Sequence, residues 1–208
     1  MARAADSVGP LVLDALWLST LQRIVGRAAH EVKGALNGVS VNLEVVRSRS
    51  EKPDAPAQAV TTFANAAVDQ LDALIALTEA VLALARALRE PVELGLLIER
   101  FGALLVPAAR ADGRRLVLDD SLHELGVTSA KANAVRLAIG GCLLAAIEQS
   151  MTVRCTAGST ATVSESSIRI DGSDGDALVV DAELVAAAAG AGVQIVAEAS
   201  ALFISFPR

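Results

Sequence analysis

An apolar residue falls every three or four places from Leu18 to Val46: Leu18, Leu21, Val25, Ala28, Val32, Leu36, Val39, Leu43 and Val46. A strand repeats every two residues, so this spacing predicts a helix, and so long a stripe demands a packing partner. The expected helix runs from about Pro10 to Arg49. Ser48 to Pro56, polar and carrying Pro53 and Pro56, ends it. The same spacing returns at Val60, Phe63, Ala67, Leu71, Leu74, Thr78, Val81, Ala85 and Leu88, predicting a second helix over Ala57 to Arg89. Two long helices joined by a short loop form an antiparallel hairpin. A lone hairpin of this kind leaves apolar surface in water. Pairing two of them as a homodimer, in a symmetric four-helix bundle, removes it. The alternative is a monomer whose hairpin is covered by the rest of the chain.

Glu90-Pro91 marks a boundary between a hairpin domain, 1–90, and a second domain, 91–208. The second is expected to hold a helix from Val92 to Ala111, which Pro107 ends early or kinks, then a strand over Arg114 to Asp119. A loop from Ser121 to Ser129 carries His123, which has no evident partner. A helix from Ala130 to Ser150 follows, then strands at Thr152–Thr156, Ala161–Ser164 and Ser167–Asp171. Gly172 to Gly175 is a turn, Asp181 caps a helix ending at Ala189, and Val193–Ala197 with Ala201–Phe206 closes as a hairpin. The fold class is α+β: a long helical hairpin, then a sheet with helices on one face.

Composition narrows the function classes. A net charge of −6 argues against a general nucleic-acid binder. Mean hydropathy is high at +0.49, yet no uncharged apolar run reaches the roughly 18 residues a span needs. The longest candidate, Leu184 to Ala197, is interrupted by Gly190, Gly192 and Gln194. The first residues make a poor signal peptide, with Asp14 in a short apolar patch, and Trp17 is expected to pack at the mouth of the bundle. A cytoplasmic protein is expected. Cys142 and Cys155 have neither Cys-x-x-Cys nor zinc spacing, so reduced thiols are expected.

His30 lies off the apolar stripe. Val32 is two residues on, about 200° round the helix, so the imidazole is expected to face water. Arg23, Arg27, Lys33, Gly34 and Asn37 share its face. A neutral imidazole is a nucleophile near pH 7, flanking cations would hold a phosphate, and the small Gly34 leaves room for a partner. The plain alternative is a solvated surface histidine.

The segment His30-Glu31-Val32-Lys33-Gly34-Ala35-Leu36-Asn37 resembles the H-box of bacterial sensor histidine kinases, His-Glu-hydrophobic-Lys/Arg-Asn/Thr-Pro-Leu. In that family the histidine carries a phosphoryl group on the first helix of a dimerisation and phosphotransfer hairpin. Gly34 stands where the family has the Asn or Thr that orients water for phosphatase activity, so that activity is not implied. Ala35 replaces a proline, which implies a straighter helix. The layout of Pro91 to Arg208 resembles the kinase ATP-binding domain in degenerate form. On that alignment Ala145 replaces the Mg-binding asparagine. Asp171-Gly172-Ser173-Asp174-Gly175 has its glycines misplaced for an adenine-binding turn, and no lid or second glycine-rich box follows. Its chemistry suits a tight β-turn.

A phosphoacceptor without an ATP site resembles the histidine phosphotransferases, which relay phosphate between response-regulator receiver domains. The resemblance implies His30 as phosphoacceptor, no cofactor or metal of its own, and Mg²⁺ on the partner receiver. Lys33 and Arg27 would offset phosphate charge, with Arg23, Gly34 and Asn37 at the partner-binding face. Glu31 would orient the imidazole through its second nitrogen. The rivals are a non-catalytic scaffold that binds a receiver or a kinase, and an active kinase. A zinc protease lacks its second histidine, since Lys33-Gly34 fills that place.

Overall fold

The computed structural model describes residues 5–52, 56–86, 90–158 and 165–207, with side chains from residue 11 onward except 59 and 165. Helix α1 spans Ala5–Ser50 and α2 spans Ala57–Ala85, packed as a hairpin. The second helix stops short of the expected Arg89: Arg86 turns extended at ψ 150°. Leu88 of the expected stripe lies outside the described residues, as does the expected strand Ala161–Ser164.

The rest is an α+β sandwich. A five-stranded sheet runs in the order β2 (Arg115–Leu118), β4 (Thr152–Ala157), β5 (Glu165–Gly172), β7 (Ala201–Pro207), β6 (Gln194–Glu198). β2 and β4 are parallel and the other pairs antiparallel. Two short strands, β1 (Val92–Glu93) and β3 (Val127–Thr128), pair apart from it. The loop expected at Ser121–Ser129 thus carries β3 as well as most of a 3-10 turn, Asp120–Glu124. Alternation sets the sheet's two sides. Val153, Cys155, Ile168, Ile170, Leu202 and Ile204 point to the core, while Arg154, Arg169 and Val196 face outward. Burial pushes the thiols of Cys142 and Cys155 up to about 12, which keeps both inert as nucleophiles.

Helices α3 (Leu94–Ala111), α4 (Ala132–Gln149) and α5 (Ala182–Ala189) cover the inner side. Asp181 caps α5 as expected, accepting from the Glu183 amide at 2.8 Å. Pro107 does not end α3, which continues to Ala111.

The first half of α1 lies on α3 and α4 as a third layer. Trp17 sits at the open end of the hairpin, where Arg136, lying over its ring, also donates to the Arg86 carbonyl that ends α2. It is buried edge-on against Phe101 of α3, with ring centroids 6.3 Å apart, and beneath the Arg136 guanidinium of α4. This moves the buried line of α1. Leu13, Trp17, Thr20, Ile24 and Ala28 are buried, whereas Leu18, Leu36 and Leu43 of the expected stripe are about half exposed, at 55%, 50% and 53%. The reason is that burial along this stretch is set by α3 and α4 as well as by α2. One continuous apolar core joins Trp17, Ile24 and Leu84 to the sheet. Among the described residues no helix is long and apolar enough to cross a membrane.

Candidate functional site

His30 sits two residues past Ala28, the last buried residue of α1. The ring is exposed and makes no hydrogen bond or ion pair with a described residue. Its surroundings are low. Its four neighbours on the helix surface are Gly26 and Arg27 one turn before it and Lys33 and Gly34 one turn after. A Cβ added at either glycine would meet nothing within 4 Å. Glycine inside a helix costs about 1 kcal/mol relative to alanine. Where a backbone packs closely, that cost is compensated: a Cβ at Gly38 would collide with Gln70, and one at Gly141 with Leu184. No such contact explains Gly26 or Gly34. Lys33 and Asn37 are exposed beside the ring, and Lys33 has no acidic partner among the described residues.

The other expected site residues are arranged differently. Arg23 and Arg27 are on the His30 side of α1 but are held by the second half of the chain. Arg27 Nη1 donates to Asp112 Oδ2 at 2.5 Å and Nη2 to Glu148 Oε1 at 3.1 Å. Arg23 Nη2 donates to both Glu148 oxygens, at 2.8 and 2.7 Å. Glu31 is not hydrogen-bonded to His30. Adjacent residues on a helix diverge by about 100°. Glu31 instead lines a cleft of about 420 Å³ where α1, α2 and α3 meet, and Gly34 borders the same cleft, with Ala35, Gln70, Leu77 and Pro107. His123, expected to stand alone, pairs through Nδ1 with Glu99 Oε1 at 2.9 Å and is not part of this site.

Sequence reasoning missed Gly26, Asp112 and Glu148. A signal existed for Gly26, four residues before His30. None existed for the two acids, which lie 85 and 121 residues from Arg27.

The second half offers little room along α4. Thirteen of its 18 residues are buried, on every side of the helix. Gly140 is pressed by Phe101 and Ile24, and Gly141 by Leu184. Ala145 is half-buried. Asp171 and Gly172 end β5, and the turn that follows, Ser173 to Gly175, is tied down. Asp174 Oδ2 accepts from the Met151 amide at 2.9 Å, the Ser173 amide donates to Thr152 O at 2.9 Å, and Gly175 takes φ +77°. The Ser173 hydroxyl and the Met151 amide, both donating to it, hold the Asp174 carboxyl below its usual range.

Compared with known proteins, the chain matches no family model, and no curated protein is similar to it in sequence. Its fold is similar to solved structures of two histidine kinases. One is Acinetobacter baumannii histidine kinase AdeS: TM-score 0.41, 12% identity, over 86% of this chain and 97% of that one. The other is histidine kinase ThkA, solved in complex with response regulator protein TrrA: TM-score 0.48, 14% identity, over 91% of this chain. The overlap spans 62% of the ThkA chain.

Proposed function

We propose that the chain is a histidine phosphotransferase. It relays a phosphoryl group between response-regulator receiver domains through His30 and has no ATP-dependent kinase activity of its own. The observation that carries this reading is the bare, solvent-facing imidazole bracketed by Gly26 and Gly34, two helix-weakening residues with no packing reason to be there. A docking protein needs that clearance, and the H-box resemblance says what it would deliver.

The chemistry asks little of the chain. One ring nitrogen of His30 attacks the phosphorus of a receiver's phospho-aspartate. The P–N bond forms as the P–O bond breaks, and the electron pair leaves on the aspartate carboxylate. The other ring nitrogen keeps its proton. A second receiver's aspartate then attacks, and the ring leaves. Each step needs in-line placement and charge neutralisation. Lys33 is free to supply charge, and the receiver's Mg²⁺ would neutralise the aspartyl phosphate. One feature supports the absence of kinase activity: Ala145 stands where the resembling domain has its metal-binding asparagine.

The reading includes a homodimer. Leu18, Leu36 and Leu43 on α1 lie within about 20° of one another round the helix, and Val68, Leu71, Ile75 and Leu82 form a matching stripe on α2. All seven are about half exposed, and a second hairpin covers them.

Incubation with a radiophosphorylated receiver tests the relay. Wild type takes label and passes it to a second, unlabelled receiver, whereas His30→Gln takes none. Label on His30→Gln, or a receiver complex in which wild type stays unlabelled, would leave a scaffold as the better account.

A further inference from the structure

The sequence offers Arg23 and Arg27 as loose cations for a phosphate, but both are braced from outside α1. α1 runs alongside α3 and α4 in the same direction: Asp14 Oδ1 accepts from Asn133 Nδ2 at the start of α4 at 2.8 Å, and Arg23 meets Glu148 in its last turn. Asp112 is the residue that ends α3. Both acids therefore reach α1 one to two turns before His30. Arg114 steadies this corner by donating to the Ile147 and Ser150 carbonyls at the end of α4.

We infer that Asp112 and Glu148 are positioning residues for phosphotransfer, holding the Arg27 guanidinium beside His30. This rests on the proposed relay. Arg27 precedes His30 by three residues, so the two are surface neighbours on the helix. A guanidinium has five N–H donors in a fixed fork. One on each Nη is spent on a carboxylate, leaving Nε–H and one more on each Nη for phosphoryl oxygens. A long side chain usually loses rotamer freedom when it grips an anion. Here that freedom is already lost before the phosphate arrives. Two arginines against two carboxylates also cancel in charge, so the cluster contributes directed hydrogen bonds rather than a field. Lys33, on the other side of the ring, has the opposite character, with full charge and no brace. A purely structural role is a poor account of the cluster. Exposed ion pairs add little stability, and the core around Trp17, Ile24 and Phe101 already joins these layers.

The test is the rate of transfer from a phosphorylated receiver to the full chain, measured against receiver concentration. Asp112→Asn and Glu148→Gln each lower the saturating rate about fivefold or more, leave the half-saturating receiver concentration unchanged, and leave helical content intact. Arg27→Ala produces the same loss. Adding Asp112→Asn to it costs nothing further, because the carboxylate acts through the arginine. Asp112→Glu restores part of the rate. Wild-type speed in the Asp112→Asn/Glu148→Gln double variant beside a slow Arg27→Ala overturns the inference, as do losses that multiply. Those results leave the relay standing, since wild type is still labelled at His30. A wild type that never takes label ends the relay and this inference together.

Discussion

The two halves of α1 share a helix and little else. From Leu13 to Ala28 one side of it is core, packed on α3 and α4, with Trp17 and Ile24 at 6% and 0% exposure. Beyond Ala28 no described residue of α1 is fully buried, and the helix runs along α2, with Glu31, Gly34 and Ala35 bordering a cleft that α3 closes. Val32, Val39 and Val46 are half-buried, Leu36 and Leu43 are out in solvent, and the ring of His30 is bare. The first half anchors; the second presents. A nucleophile that must be visited by another protein needs a rigid mount and an empty foreground, and one helix supplies both only if its packing stops partway.

Trp17→Ala should produce the largest effect. It removes a buried indole, its edge contact with Phe101 and the face beneath Arg136, and is expected to cost about 3–5 kcal/mol by urea denaturation. A loss below about 1 kcal/mol would mean the third layer is not part of the core. Leu36→Glu with Leu43→Glu probes the other half. Both side chains are about half exposed, so the fold is retained by circular dichroism, and the proposed homodimer predicts a fall in mass from dimer to monomer by light scattering. A double variant that keeps wild-type mass would remove these residues from any interface.

How much of this was legible follows the same division. The hairpin, the three later helices, the closing β6–β7 pair and the Asp181 cap are local matters of spacing and capping, and they were readable, whereas the short β1–β3 pair was not. The solvent side of His30 was readable too, because Val32 fixes its phase. The buried line of α1 was not. Periodicity tells that a helix has an apolar face, but α1 has two: one toward Trp17 and Ile24, one toward Leu18 and Leu36. Which is covered depends on α3 and α4, whose approach no local pattern encodes. The pairing of Arg27 with Asp112 and Glu148 was hidden for the same reason. Glu31, which the resemblance pairs with the ring of His30, lines the cleft instead, because adjacent residues on a helix point about 100° apart.

The smallest effect is the most discriminating, because stability and function should move in opposite directions. Gly26→Ala and Gly34→Ala add a methyl group to open space on a helix surface, so each should stabilise the chain by about 1 kcal/mol or less. If the two glycines exist only as drift on an exposed face, transfer to His30 is untouched by that gain. If they keep the foreground clear, Gly34→Ala raises the denaturation midpoint and weakens receiver binding, with Gly34→Leu weakening it further. A helix gives up stability at two positions one turn either side of a histidine for some return. Equal receiver affinity across glycine, alanine and leucine at position 34 would show that docking is not that return.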